Sequence, residues 1–539
     1  MNKRIRSNII PYIYLVSCFI FAVFFLCQKY YVLMNSDTSS ELLLGKILSK
    51  EAGILSKNWF YSTELRVINT QIIYKIVYLI VGDNWFLYRL ISNIIHFIIL
   101  AASYIFMMHS MDMKKAGIWT AGMLLLPFSP VHGYIIDYGA FYVPHFVLMF
   151  LSLGFMFHFV KENINKRKIA FAVILIIIGF GSGLGGVRQA MICYVPAFIA
   201  ALISFFLKVK KTDADAKCEL NILVGSFINL VGFLPGFIIN KVFLSSSYTY
   251  VNQSSYLWES LTLDKLGQVL SGFLKACGIH NDVAILGPLG LVNAVVISLI
   301  ILAIISIRLA QEDKSISPVR AYYLNFAITT FILTTIILAC GDPLLYNLHY
   351  WVPVVPLFFP ILGMLIPDTE SDSSARKIVN TITYVYISFA FIFMAIGTYK
   401  YPIDPSESFM ADRSEYLPCR DFLIQSGYTE GFAPFWIGNQ LVELCNGKID
   451  IWVESNEEMR AVDSTDSIYQ FLQSVEHTST LPKGKFFVAT YGRVLDDPEY
   501  GINCPLFLSD DFMIYADNYI TIYGFNSLDE YRAHIDSLQ

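Results

Sequence analysis

Directly after the first long apolar run comes Asn35-Ser36-Asp37-Thr38-Ser39-Ser40-Glu41. Asp37 and Glu41 stand four apart, so a helix puts both carboxylates on one face. A carboxylate at the end of an apolar helix, facing the aqueous side, can take the proton from an attacking hydroxyl. That makes Asp37 the candidate general base and Glu41 a candidate substrate-binding residue. The same residues also spell an ordinary helix start, with a small polar cap and an acidic first turn. A second polar group runs from Asn58-Trp59-Phe60-Tyr61 through Glu64-Leu65-Arg66 to Asn69, Thr70 and Gln71. Glu64 and Arg66 could simply pair with each other. A dense polar run beside aromatic rings equally suits a sugar, with rings stacking and amides reaching hydroxyls, so Glu64, Arg66 and Gln71 are candidate substrate ligands. Arg188 and Gln189 lie in a tight turn between two apolar runs. The planar guanidinium fork fits a phosphate; an arginine in such a turn can also just lay its stem on apolar surface and keep its head in water. His349, beside Tyr350-Trp351, is a further binding candidate, as are His132 and Asp137, although a lone histidine is most often a structural group.

The elements that must position these residues are membrane helices. Of 539 residues, 55% are apolar and only 15% charged, and the mean hydropathy is +0.54. A soluble domain carries about a quarter charged residues. Runs of roughly 18 or more apolar residues, the length that spans a bilayer, fall near 8–28, 85–109, 117–134, 140–160, 168–186, 190–207, 219–243, 286–307, 321–340, 351–366 and 378–399. The sequence thus predicts an α-helical polytopic membrane protein of about eleven spans. Ile72–Val81 is apolar too, but it is short and interrupted by Lys75, which fits an interfacial piece rather than a span.

Charge sets the expected orientation. Lys3, Arg4 and Arg6 precede the first span. Every second loop after it is basic: Lys114 and Lys115, then Lys161 to Lys168, Lys208 to Lys217, Arg308 to Arg320, and Arg376 with Lys377. By the positive-inside rule these face the cytoplasm, so the chain reads N-in and C-out. The long loops 29–84 and 244–285 then lie outside. Each carries an amphipathic stretch expected to rest in the interface plane: Leu42, Leu43, Leu44, Ile47 and Leu48 in one, and Leu263, Leu266, Leu270, Phe273, Leu274 and Cys277 in the other. Trp59, Phe60, Tyr61, Trp85 and Phe86 suit the headgroup belt. The first run is long and lacks a small-residue cleavage site, so it reads as an anchor rather than a removable signal.

From residue 401 the composition changes. That segment holds 8 Lys+Arg against 23 Asp+Glu, whereas residues 1–400 hold 30 against 20. The domain division is therefore 1–400, membrane part, and 401–539, a soluble α+β domain on the outer side. Phe486–Thr490, Phe512–Tyr515 and Tyr519–Tyr523 have strand character; Arg413–Ser426 and Ser527–Ile535 read as helices. Asn446-Gly447 is placed to make a hairpin turn between Leu441–Leu444 and Ile449–Val453. Phe432–Gly438 reads as an aromatic core strand beside a turn, with glycan binding as the other reading. Cys419, Cys445 and Cys504 leave room for one disulfide. The nine cysteines form no CxxC pair and no zinc-like cluster with histidine, and no basic patch fits a nucleic acid.

Asp37–Gln71 in the first outer loop, together with Tyr346–Pro360 (YNLHYWVPVVPLFFP) late in the bundle, resembles the glycosyltransferase C superfamily (GT-C), which includes protein O-mannosyltransferases and lipid A aminoarabinose transferases. The resemblance implies a membrane transferase of the bacterial cell envelope. Its partners would be a polyprenyl-phosphate-linked sugar donor, a cell-surface glycan or glycolipid acceptor, and the bilayer itself. It puts Asp37 at the position of the catalytic aspartate and gives Arg188 a part in neutralising the leaving phosphate. The adjacent Asp-Glu pair frequent in that family is absent, and His349-Tyr350 stands where Arg-Tyr is common. No cofactor follows beyond a divalent cation, whose ligands stay open. The alternatives are a polymerase or ligase of lipid-linked surface polysaccharide, a transporter or flippase, and a non-enzymatic envelope-assembly protein. A transporter usually shows repeats and mid-membrane charges; no repeat is evident here, and the charges sit at the span edges.

Overall fold

The computed structural model describes residues 3–208, 213–250, 258–313, 315–341, 347–365, 374–402, 412–455, 464–492 and 504–538. Its helical part runs α1 (Lys3–Gln28), α2 (Ser36–Ser49), α3 (Gln71–Val81), α4 (Trp85–Ser110), α5 (Lys114–Leu124), α6 (Pro130–His132), α7 (Val143–Lys161) and α8 (Lys166–Gly183). It continues with α9 (Val195–Lys208), α10 (Asp213–Ile238), α11 (Leu263–Ala276), α12 (Pro288–Glu312), α13 (Pro318–Cys340), α14 (Phe359–Met364) and α15 (Ser374–Lys400). Among the described residues, seven helices are long and apolar enough to cross a membrane.

The other four expected runs fall outside that count. α8 opens on Lys166, Arg167 and Lys168. The run near 117–134 breaks after α5, where Pro127 and Pro130 interrupt the ladder. Residues 190–194 form a π-helical turn that continues into α9, making one apolar helix from Ala190 to Phe206. Pro353, Pro356 and Pro360 divide the late aromatic run into 3₁₀ turns and the short α14. α3 is 11 residues long; it buries Gln71, Tyr74 and Val77 and exposes Ile76, Leu79 and Ile80, as an interfacial helix does.

α8 and α10 meet backbone to backbone. A Cβ on Gly183 would lie 2.2 Å from the Phe233 carbonyl, and one on Gly236 would lie 2.1 Å from that of Phe180. Gly179 and Gly183 on one helix, and Gly232 and Gly236 on the other, repeat the small-xxx-small spacing that lets membrane helices touch. The glycine-rich stretch Ile176–Gly186 is thus a packing seam.

The terminal domain is a five-stranded mixed sheet of β1 (Glu430–Pro434), β2 (Asp450–Glu454), β3 (Phe486–Tyr491), β4 (Met513–Ala516) and β5 (Ile520–Phe525), in the order β2-β1-β3-β5-β4. β1 is parallel to β2 and β3, and β5 runs antiparallel to β3 and β4. Helices α16 (Leu417–Ser426), α17 (Phe435–Leu444) and α18 (Leu528–Leu538) complete it. The strands and helices expected from pattern are present. The hairpin is not: Leu441–Leu444 ends α17, and Asn446-Gly447 turns that helix into β2, closing a β-α-β unit. Asn446 (φ 54°) and Gly447 (φ 66°) are both left-handed. Gly447 also has no room for a side chain, since a Cβ there would lie 2.5 Å from the Trp85 ring. Phe432–Gly438 is accordingly the end of β1 running into α17. Cys419, Cys445 and Cys504 are buried, and among the described residues no disulfide joins them.

Candidate active site

α2 holds the acidic pair. Asn35 caps it, accepting from the Thr38 backbone N–H, and its Nδ2 donates to the Tyr134 hydroxyl at 2.6 Å. The small polar cap of the helix start is thus Asn35, and Asp37 is the acid of the first turn. Leu42, Leu44 and Leu48 are buried within protein rather than lying on lipid. Trp59, Phe60, Tyr61 and Trp85 are buried as well, and Phe86 is the member of that group left at the surface. The physical reason is that the terminal domain sits on α2 and on the loop after it. Trp59, Tyr61 and Leu65 pack with Leu44 and Leu48 against Leu472, and Phe60 exchanges backbone hydrogen bonds with Leu472 (2.8 Å) and Gln473 (2.9 Å).

The clasp under this contact is ionic. The Glu443 carboxylate on α17 accepts from Arg89 Nε at 2.9 Å, Arg89 Nη2 at 2.5 Å, Tyr30 at 2.8 Å and Ser39 at 2.6 Å. Arg89 also donates to the Thr38 carbonyl and lies 4.5 Å over the Tyr138 ring. Both charged side chains have no solvent exposure. Ser36 Oγ donates to the Phe435 carbonyl, and Lys46 Nζ reaches the Gly447 carbonyl at 2.8 Å.

Asp37, in the first turn of α2, borders a cavity of about 390 Å³ roofed by α17 and the β2 end. Burial, and then the neighbouring Glu41 charge, push its carboxyl up to about 6, with Arg66 pulling the other way. Glu41 accepts from the Thr70 hydroxyl, and burial raises its carboxyl too. Glu41, Glu64, Arg66 and Gln71 border a second, small cavity, which Leu472 of the terminal domain also lines; the neighbouring Phe471 lines the first.

The expected Glu64–Arg66 pair is replaced by another. Glu64 lies 3.7 Å from Arg188, while Arg66 Nη2 donates to Ser62. Arg188 stands over the Tyr142 ring at 4.9 Å and the Tyr350 ring at 5.7 Å. Burial and the nearby Arg188 charge draw Arg66 below its usual range, while Glu64 and Glu41 support its charge. The two guanidinium groups thus lie in each other's field, with Glu64 and Glu41 beside them. Asn240 ties the two loops together, donating to the Leu65 carbonyl at 2.8 Å and to that of Leu184 at 2.7 Å. His349 lies 5.9 Å from the Tyr134 ring, and burial and Arg188 hold it down at about 4. It is neutral at neutral pH.

Gln71 serves the loop: its amide donates to the Arg66 and Val67 carbonyls at 2.8 and 3.2 Å. His132 is bound to the Leu124 carbonyl, and Asp137 is buried in a π-helical turn. Among the described residues no three His, Cys, Asp or Glu side chains gather as a cation site, so the donor set does not fit a divalent cation.

No family model matches the chain, and no curated protein matches it. A solved structure does. The crystal structure of ArnT from Cupriavidus metallidurans bound to undecaprenyl phosphate aligns over 95% of this chain and 98% of that one, with a TM-score of 0.57 and 10% identity. The chain has the ArnT fold. The resemblance read from the sequence thus extends to the architecture, and the fold with its apolar helices makes this a multi-pass membrane protein with a small terminal sheet domain.

Within that ArnT-like frame, the sequence pattern missed several residues at the site: Arg89 and Glu443, and the rings of Tyr142 and Tyr469; Phe435 and Trp436 belong to the Phe432–Gly438 stretch for which glycan binding was one reading. Two carried a signal. Arg89 is a charge at the start of an apolar run, and Glu443 a charge in an otherwise apolar helix; each calls for a buried partner. The aromatic residues carry none, because their grouping is purely spatial.

Proposed function

We propose that this protein is a GT-C-type membrane glycosyltransferase. It moves a sugar from a polyprenyl-phosphate donor to a cell-surface glycan or glycolipid on the outer face of a bacterial cytoplasmic membrane. The observation that carries the reading is the half-buried carboxylate of Asp37, bordering a cavity on one side and lying in the field of Arg66 on the other. No described side chain donates a hydrogen bond to that carboxylate, which leaves it able to accept one from substrate. The ArnT fold, solved in that protein with undecaprenyl phosphate, supports the class of donor.

In this reading Asp37 takes the proton of the acceptor hydroxyl as its oxygen attacks the anomeric carbon. The bond from that carbon to the phosphate oxygen breaks, and the charge that grows on the leaving lipid phosphate is met by Arg188 and Arg66. Tyr142 and Tyr350 hold the Arg188 guanidinium flat. Glu64 fixes Arg188, while neutral His349 can hydrogen-bond substrate without adding charge. The basic loops argue for an N-terminus inside, and an odd number of spans then leaves the terminal domain outside.

A deletion strain complemented with wild-type protein should regain one sugar substituent on its surface glycan or glycolipid, read by mass spectrometry. Asp37→Asn should reach the membrane at normal levels yet restore none of it; a lost general base costs roughly 10²–10⁴-fold. Normal decoration by that variant would remove Asp37 from the mechanism. Loss of whole repeat units rather than one substituent would favour the polymerase. Arg188→Ala should weaken binding of undecaprenyl phosphate by roughly ten- to a hundredfold, the scale of charge-assisted hydrogen bonds.

A further inference from the structure

Of the two cavities beneath the terminal domain, a cation borders only one. The smaller is lined by Arg66, with Glu41 and Glu64 beside it. The larger is bordered by two carboxylates, Asp37 and Glu454, and by the rings of Phe435, Trp436, Tyr469 and Phe471; among the described residues that line it there is no lysine, arginine or histidine. Its volume of about 390 Å³ falls in the roughly 300–1,000 Å³ span of small-molecule sites and admits a short saccharide. The rings form one continuous group. Phe435 lies 5.0 Å from Trp436, 5.7 Å from Tyr469 and 5.4 Å from Phe471, and Tyr469 lies 5.3 Å from Phe471. Glu454 is only 2% exposed, whereas Trp436 is 42% exposed and so offers a ring edge to an incoming ligand. The charge on Asp37 is felt at the Tyr469 hydroxyl, which places the rings and the base at one cavity.

We infer that this cavity is the acceptor subsite, and that it takes an uncharged or amine-bearing sugar ring rather than a phosphorylated one. The inference rests on the transferase reading above and names the class of its acceptor. The C–H face of a pyranose packs on aromatic rings, and its hydroxyls donate to carboxylates. An ammonium on the sugar gains twice, from the ring faces and from Glu454. A phosphate or uronate enters a wall of like charge with no cation to offset it. Donor and acceptor are thereby sorted by charge: the leaving phosphate belongs with the arginines, and the nucleophilic sugar belongs with the acids and rings. The parts of the site come from distant segments, with Asp37 from the first outer loop and everything else from α17, β2 and the loop after it. The terminal domain therefore supplies nearly all of the acceptor wall, whereas it borders the Arg66 cavity through Leu472.

The test is saturation-transfer NMR on the full chain in nanodiscs without donor, using methyl glucoside, methyl glucosaminide and glucose 6-phosphate as probes. The neutral and amino probes should bind and the phosphate probe should not. Trp436→Ala should weaken the neutral probe by roughly five- to tenfold, the scale of a lost ring contact, with undecaprenyl phosphate binding intact. Glu454→Gln should narrow the preference for the amino probe over the neutral one. Tighter binding of glucose 6-phosphate, unchanged binding after Trp436→Ala, or no binding of any probe would overturn the assignment. Because these readouts need no turnover, the subsite can fail while Asp37 remains essential for transfer, and the reverse.

Discussion

Two seams hold the site together, and they work by opposite physics. α8 and α10 meet through Gly179, Gly183, Gly232 and Gly236, where the fit is one of shape and the contact is with backbone. That seam fixes the turn carrying Arg188, the half we propose for the donor. α2 and α17 meet through Glu443, gripped by Arg89, Tyr30 and Ser39 with no exposure to solvent. That seam fixes the domain above Asp37, the half we propose for the acceptor. A shape fit tolerates no added volume. A buried ion pair tolerates no missing partner, because the charge left behind keeps its full desolvation cost.

Breaking the ionic seam should have the larger effect. Glu443→Ala leaves Arg89 buried and uncompensated, at a cost of roughly 3–5 kcal/mol, and should release the terminal domain to limited proteolysis. Replacing both partners, Arg89→Met with Glu443→Leu, should recover most of that protection. If the double variant is as sensitive as the single one, the clasp is not what holds the domain.

The glycine seam should respond less. Gly236→Val forces a methyl-bearing carbon against the Phe180 carbonyl, an overpacking cost of roughly 1–3 kcal/mol, visible as a lower Tm in detergent. It should weaken undecaprenyl phosphate binding and leave binding of the saccharide probes alone. Weakening of both ligands together would mean the two halves are not separately supported.

The smallest effects are in pH, and they sharpen the division at Asp37, where the halves meet. With its carboxyl raised to about 6, a base at this position is protonated below that pH and free above it, so the transfer rate should rise with pH through about 6 and then level. Glu41→Gln removes the like charge that raises Asp37 and should move this limb to lower pH. Arg66→Gln removes the cation that lowers it and should move the limb to higher pH. Shifts in the same direction, or none, would show that the limb reports some other group.

Several of these features are legible in the residue order, and the reason is locality. Length and apolarity mark the long helices, since a span must satisfy its own backbone. Alternation and turn residues mark β3, β4 and β5. A spacing of four puts Asp37 and Glu41 on one face of α2 whatever lies around it. Glycine at every fourth place in α8 and α10 is visible too, although its reading as a seam rather than a weak span needs the partner helix.

What only the tertiary structure decided depends on segments far apart in the chain. Arg89 and Glu443 are 354 residues apart, and no local pattern pairs them. Glu64 takes Arg188 rather than Arg66 because Asn240 draws the first outer loop onto the turn after α8. Trp59, Tyr61 and Trp85 have the composition of a headgroup belt, yet they are buried because a folded domain occupies the surface where headgroups would lie. Amphipathic pattern tells that a face must be covered. Whether lipid or protein covers it is settled by long-range packing, since both remove the same apolar area from water.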